Sequence, residues 1–265
     1  MTFQRFLHDA VKLGQYWQGI GCASRANSVT DRAVLRELKG VAGPLVIFDV
    51  GANRGQFLQL ALNEFGGGRS VVHAFEPSDA AFAELWQRFG GQSGVVVNNF
   101  ALGSEASERT LYYDVAGSEL GSLYPRRVEH HGHSFTGSER VQVRTLDDYC
   151  GVQGVTRIDL LKLDVEGHEL AVLNGAIEMF ERGAIERVSF EFGGCNVDSR
   201  TFVRDFFEFF ESRNMKLARV TAAGKLYPIM RYEEGLEQFR TTCFLASNPG
   251  DDPEGILSRK PMRHG

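Results

Sequence analysis

The chain has 265 residues, of which 43% are hydrophobic, and a formal net charge of -5 at pH 7. That size and apolar share can bury one large α/β core, while the acidic balance argues against a general nucleic-acid binder, which needs clustered lysine and arginine to meet phosphates. Cys22, Cys150, Cys195 and Cys243 are scattered without C-x-x-C spacing, and no apolar run approaches the ~20 residues of a membrane span, so reduced thiols in a cytoplasmic chain are expected, with neither disulfide frame nor membrane span.

Residues 1–40 read as an amphipathic helical extension: Phe3, Phe6, Leu7 and Ala10 fall at helical spacing, and Val34, Leu35 and Leu38 repeat it. A cap on a sheet edge is the expected use. The apolar residues of the first nine positions are interrupted too often for a signal peptide. From there strands and helices alternate, the pattern of a mostly parallel sheet covered on both faces. A main domain is expected over 41–248, and a polar tail holding Pro249, Pro253 and Pro261 over 249–265.

The first strand, 45–50, runs into Gly51-Ala52-Asn53-Arg54-Gly55 and then a helix with Phe57, Leu58, Ala61, Leu62 and Phe65 on one face, stopped by Gly66-Gly67-Gly68. Such a turn lets a ligand approach the backbone. Gly51 and Gly55 carry no Cβ, Asn53 tolerates a left-handed conformation, and the helix start offers free N–H groups and partial positive charge. The second strand, 70–75, ends in Glu76, which lies beside the first turn if the two strands are parallel neighbours. A carboxylate there can accept hydrogen bonds from both hydroxyls of a ribose, so the pair reads as a nucleoside-cofactor site. The next helix carries Phe82, Leu85, Trp86 and Phe89, read as core, and stops at Gly90-Gly91.

Glycine spacing separates two cofactor classes. A dinucleotide fingerprint wants G-x-G-x-x-G; here the last glycine comes one residue early and Gln56 stands where the third belongs. The run resembles instead the D-x-G-x-G-x-G turn of S-adenosylmethionine-dependent methyltransferases, with Asn53 in place of the central glycine. A nicotinamide-dependent oxidoreductase and a noncatalytic nucleoside-binding module of the same fold are the alternatives.

After the third strand, 94–100, the rhythm breaks. Segments 108–115 and 139–145 alternate apolar and polar residues and read as extra strands around a polar loop, 116–138, that holds Ser118, Tyr124, Arg126, Arg127, His130, His131 and His133. The histidines lack a partner cluster at ligand spacing, so the loop reads as a substrate lid and no metal is expected. The fourth strand, 158–164, leads through Val165-Glu166-Gly167-His168-Glu169 into a helix carrying Leu170, Leu173, Ala176, Ile177 and Phe180. Asp164, Glu166 and His168 therefore lie at the carboxyl end of a strand, where open α/β sheets bind ligands. Glu166 and Glu169 also oppose a helix dipole, whereas Asp164 ends an apolar strand, where an unpaired buried carboxylate is costly. The fifth strand, 186–192, ends in Gly193-Gly194-Cys195-Asn196, with Glu191 facing either the pocket or a neighbouring strand. A helix over 199–212 with Phe202, Phe206, Phe209 and Phe210 as a core stripe follows, then strands near 215–221 and 240–246.

Phe48-Asp49-Val50-Gly51-Ala52-Asn53-Arg54-Gly55, Phe75-Glu76-Pro77, Asn99-Phe100-Ala101-Leu102-Gly103, Thr145-Leu146-Asp147-Asp148 and Leu161-Lys162-Leu163-Asp164-Val165-Glu166-Gly167-His168-Glu169 together resemble the FkbM family of S-adenosylmethionine-dependent methyltransferases, over roughly 45–247. The resemblance implies a class I methyltransferase fold: a Rossmann-like, mostly parallel sheet with a closing antiparallel strand, helices on both faces, and a β-hairpin insertion (104–146) between strands three and four. It implies S-adenosyl-L-methionine as cofactor and O-methylation of a hydroxyl on a sugar, glycan, polyketide or related natural product. The oligomeric state is left open.

By matching position, Gly51 and its neighbours Asn53 and Gly55 would contact the amino-acid part of the cofactor, with Asp49 close by. Glu76 would hold the ribose, Asn99 and Ala101 would border the adenine, and Asp164 would sit beside the transferring methyl. A sugar hydroxyl is a poor nucleophile until its proton is accepted, so Asp164 or His168 is the expected general base, with Glu166 orienting the acceptor. A divalent ion held by Asp164 and other carboxylates is the weaker alternative.

Overall fold

The computed structural model describes residues 2–23, 29–66 and 68–249; Gly67 of the predicted helix stop and residues 250–265 of the predicted tail lie outside the described residues. In chain order come α1 (Phe3–Trp17), α2 (Val29–Arg36), β1 (Leu45–Val50), α3 (Gln56–Phe65), β2 (Ser70–Phe75), α4 (Asp79–Phe89), β3 (Val95–Asn98), β4 (Ala101–Leu102), β5 (Ser107–Tyr113), β6 (Gly137–Arg144), α5 (Leu146–Gln153), β7 (Leu160–Leu163), α6 (Glu169–Asn174), α7 (Ile177–Glu181), β8 (Arg187–Phe192), α8 (Cys195–Ser199), α9 (Val203–Glu211), β9 (Lys216–Val220), β10 (Leu226–Ile229) and β11 (Thr242–Ser247). Most residues of the central strands are apolar, and successive ones point to opposite faces, so both faces of the sheet are buried. Ile47 and Leu160 join the cluster beneath α2, α3 and α4, while Phe48 and Leu161 join the cluster on the other side.

The main sheet has eight strands in the order β10-β9-β11-β8-β7-β1-β2-β3. Strands β3, β2, β1, β7 and β8 run parallel, β11 is antiparallel to both β8 and β9, and β10 folds back on β9. This is the expected class I methyltransferase sheet, with β10 added at its edge. The chain leaves β1 for β2 on one side and later returns to β7 on the other, so the switch in strand order falls between β1 and β7. A crevice opens at their carboxyl ends. Between β3 and β7 stands a second sheet of three strands, β4-β6-β5, in which the predicted hairpin strands pair antiparallel and the short β4 joins β6 in parallel.

Several elements differ from expectation for identifiable reasons. The single helix predicted over Leu170 to Phe180 is two, α6 and α7, broken at Gly175, where a Cβ would stand 1.9 Å from the Gly103 carbonyl oxygen. The root of the inserted sheet occupies that space. Helix α5 has caps that the sequence does show: the Thr145 hydroxyl accepts from the Asp148 N–H at 3.0 Å, and Gly154 ends it in a left-handed conformation. Asp147, on the same turn, accepts the N–H groups of Glu178 and Met179 at the start of α7. Trp86, expected in the core, is 56% exposed, and Phe202 is 48% exposed because it precedes α9 rather than lying within it. The rest of that stripe is buried, with Phe206 stacked on Phe190 at 4.6 Å and Phe190 on Phe244 at 5.4 Å, ties worth about 0.5–1.5 kcal/mol each beyond their burial.

The N-terminal extension divides in two. Helix α2 buries Thr30, Ala33, Val34 and Leu35 beside α3 and acts as a cap. Helix α1 buries no residue at all.

Candidate active site

The crevice between β1 and β7 is the mouth of a cavity of about 720 Å³. The parallel register sets Asp49 beside Lys162 and Val50 beside Leu163, so the turn after β1 meets the segment after β7 directly. Gly51 has φ +80°, and a Cβ on it would fall 1.8 Å from the Asp164 carbonyl oxygen. Only glycine fits that position. The N–H groups of Gly51 and Ala52 donate to the Phe75 carbonyl at 3.0 and 2.9 Å, which locks the turn onto β2.

Glu76 is held by the same turn. Its Oε2 accepts the Asn53 N–H at 2.8 Å and its Oε1 the Ser78 N–H at 2.8 Å, while Asn53 itself stands in the left-handed region at φ 46°. The carboxyl group is buried and lines the cavity. Burial pushes its pKa up to about 7 against the pull of the two N–H donors, so an added pair of hydroxyl donors would be met favourably.

Beneath this floor, Lys162 gathers the acidic groups. Its Nζ lies 3.1 Å from Asp49 Oδ1 and 3.4 Å from Asp164 Oδ2, and 5.5 Å from the centre of the Phe57 ring. Burial works to lower the lysine pKa, but the carboxylates of Asp49, Asp164 and Asp31 outweigh it and the net shift is upward. Asp31, from α2, is pushed up to about 6 by burial, with Lys162 opposing. Asp49 is fully buried, and its Oδ2 has no hydrogen-bond partner among the described residues. Asp164 is the accessible member, with 38% of its side chain exposed.

The other wall is a clasp between the β7 end and the loop joining β5 to β6. The Ser122 hydroxyl donates to the Glu166 carbonyl at 2.7 Å, the Tyr124 hydroxyl meets His168 Nδ1 at 3.2 Å, and Arg126 pairs with the Glu166 carboxylate and lies 3.7 Å from Asp198. Glu166 takes a left-handed φ of 51° to make these contacts. Burial pushes its pKa up to about 8 against the pull of Arg126. His168 is buried at the start of α6; burial, reinforced by Arg109, pushes its pKa down to about 4. Glu169 receives the N–H groups of Val165 and Gly167 on Oε1, both at 3.1 Å, and so shapes the segment from below.

The structure therefore brings Gly51, Asn53, Glu76, Ala101, Asp164, Glu166 and His168 to one cavity. Three predicted positions stand behind it. Asp49 is sealed under Lys162. Gly55 packs under α4, where a Cβ would meet the Phe89 ring at 2.4 Å, so its role is helix packing rather than ligand approach. Asn99 is exposed and its amide donates to the Glu76 and Pro77 carbonyls at 3.1 and 3.2 Å, bracing the strand end while Phe100 and Ala101 face the cavity. The loop histidines do not converge: His133 pairs with Asp114 at 2.8 Å, and the His130 and His131 rings lie 4.1 Å apart with their planes tilted by 43°.

Lys162, Asp31 and Arg126 were not singled out as site residues. Lys162 had a signal, since an ammonium in the middle of an apolar strand must find a buried carboxylate. Its place two residues before Asp164 put both on one face. Asp31 had none, because its approach depends on how α2 packs.

The profile of a family described as "Methyltransferase FkbM domain" matches residues 49–217. Among similar proteins, the 31-O-demethyl-FK506 methyltransferase FkbM of Streptomyces tacrolimicus is 30% identical, covering 55% of this chain and 65% of the relative. The 2-O-methyltransferase NoeI of Sinorhizobium fredii (strain NBRC 101917 / NGR234) is 27% identical, covering 50% of this chain and 58% of the relative. The chain spans less than two thirds of the length of either. A solved FkbM methyltransferase structure from Methylobacillus flagellatus KT aligns with a TM-score of 0.45 at 16% identity, over 80% of this chain and 47% of that one. The family implies S-adenosyl-L-methionine, and the residues present fit it: a cavity-facing carboxylate for ribose hydroxyls, and a surplus of acidic groups toward a sulfonium cation. The family match begins at Asp49 under the glycine turn and runs through the inserted sheet into β9, and the chain belongs to the FkbM methyltransferase family.

Proposed function

We propose that this chain is an S-adenosyl-L-methionine-dependent O-methyltransferase acting on a hydroxyl of a sugar, glycan or related natural product. One observation carries the chemical assignment: Asp164 is the accessible carboxylate at the point where the Gly51 turn, the Lys162 cluster and the Arg126 clasp meet. The cofactor, when bound, supplies an electrophilic methyl group. Glu76, with Asn53 and Ser78 behind it, would accept the ribose hydroxyls; Gly51 and Ala52 leave the floor open; Ala101 and Phe100 give an apolar border for the adenine.

Asp164 is the better general base of the two candidates. It lines the cavity with its side chain partly exposed, whereas His168 is buried against Tyr124 in surroundings that oppose its charged form. Glu166, tied to Arg126, would position the acceptor rather than take its proton. The names of two relatives, a 31-O-demethyl-FK506 methyltransferase and a 2-O-methyltransferase, support transfer to oxygen. We take 41–248 as the methyltransferase domain and 104–146 as its acceptor-side insertion, and the four free cysteines as consistent with a cytoplasmic chain.

The test replaces Asp164→Asn and His168→Ala in the full chain and follows methyl transfer to a panel of sugars, nucleotide sugars and polyol natural products. Turnover is expected to fall about 10²- to 10⁴-fold in the first variant and to stay within about threefold in the second. Equal turnover in the Asp164→Asn variant with cofactor binding intact would remove the base assignment. Titration with S-adenosylhomocysteine against NAD tests the cofactor separately; preference for NAD would point to the oxidoreductase alternative.

A further inference from the structure

Helix α1 carries an apolar face that the rest of the described chain leaves open. Phe3, Phe6, Leu7, Val11, Leu13 and Trp17 are 41–71% exposed, and none of the helix's residues is buried. At 3.6 residues per turn these six, with Ala10 and Gly14, fill an arc of about 160°. The opposite arc holds Arg5, His8, Asp9 and Lys12, so basic groups outnumber acidic ones on this helix although the chain as a whole is at -5.

The base of α1 is fixed beside the cavity. Gln15 accepts from Arg240 Nη1 at 2.7 Å and donates to Gln238 at 3.1 Å, and the Gln18 carbonyl takes Arg219 Nε at 2.8 Å. Arg240 lines the cavity, as do Gly21 and Ala23 just beyond the helix. The open apolar face therefore starts at the rim of the active site.

We propose that α1 lies flat in the surface of an anionic lipid bilayer and holds the cavity mouth against it. Phenylalanine, leucine and tryptophan on one broad face and lysine and arginine on the other make the pattern of an in-plane helix. Its 15 residues reach about 22 Å, short of the ~30 Å needed to cross. A second copy of the chain is the less suited occupant, because a helix pair buries a narrow seam whereas this face is wide. Docking of this kind suits an acceptor borne on a lipid, a consequence that rests on the methyl-transfer reading; vesicle binding is expected whether or not the chain transfers methyl groups.

The experiment uses the full chain with phosphatidylcholine vesicles, with and without phosphatidylglycerol. Cosedimentation is expected with the anionic vesicles and is weaker with the neutral ones. In a Trp86→Phe background, which leaves Trp17 as the sole tryptophan, emission shifts to shorter wavelength as vesicles are added. The double variant Phe6→Glu with Leu13→Glu lowers partitioning at least about tenfold while S-adenosylhomocysteine binding, as a folding control, stays unchanged. The proposal is overturned if the unaltered chain stays in the supernatant with both vesicle types, or if the double variant partitions equally. It is also overturned if light scattering shows a dimer that the double variant abolishes and no vesicle binding accompanies it.

Discussion

The two walls of the cavity are built on different principles. The β1–β2 wall is main-chain geometry: Gly51 lies against a carbonyl, Asn53 in a left-handed turn, and Glu76 between two backbone N–H groups, all within a short stretch of sequence. The β7 wall is an assembly of side chains from far apart, with Arg126 of the insertion, Glu166 after β7 and Asp198 in α8 meeting at one point. On the proposed reading, changes in the first wall should act on cofactor binding and changes in the second on acceptor binding.

The sharpest way to break that contrast is Gly51→Ala. Its Cβ overlaps the Asp164 carbonyl, and the left-handed backbone adds about 1–3 kcal/mol of strain, so calorimetry is expected to show S-adenosylhomocysteine affinity falling beyond about 100-fold. A variant that binds normally would mean the turn can yield. Next comes Arg126→Ala, expected to raise the acceptor KM by about tenfold while the cofactor Kd stays within about twofold. If both constants moved together, the two walls would be one unit.

Glu76→Gln is expected to weaken cofactor binding by about tenfold, the loss of one charge-assisted hydrogen bond, with acceptor KM unchanged. The smallest effect concerns pH. Burial pushes the Glu169 carboxyl from its usual 4.5 up to about 7. The folded chain then keeps this proton to higher pH than the unfolded chain, so the contribution to stability is full below about 4.5 and falls as pH rises toward 7, by on the order of 1–3 kcal/mol. Glu169→Gln removes that slope, and the gap in Tm between about pH 5 and about pH 8 should narrow by about 2–4 °C per kcal/mol. An unchanged gap would show that Glu169 does not carry the titration.

The same contrast explains how much of the site could be read in advance. Main-chain geometry demands particular residue types at fixed spacing, so Gly51, Asn53 and Glu76 stood out, and a mostly parallel sheet covered on both faces followed from the alternation of strands and helices. Gly55 and Asn99 occupied motif positions but serve packing and bracing, since spacing alone does not say whether a small residue faces ligand or helix. Side-chain assemblies leave weaker traces. Arg126 was visible only as a basic residue in a lid, Asp31 only as part of an edge helix, and the helical spacing of α1 gave no indication that its face stays open.

Ser122, Tyr124 and Arg126 engage the β7 segment at every second residue, and Ser122 is also paired to Tyr112 of β5 through both its N–H and its carbonyl. A strap fastened in that way is expected to open like a zip, from the Arg126 end toward an anchored stop at Ser122, instead of swinging as a rigid flap. Amide exchange should be graded along it, fastest near Arg126 and slowest at Ser122. Graded exchange would mean that the strap loosens stepwise, whereas uniform exchange along it would mean that it moves as one piece.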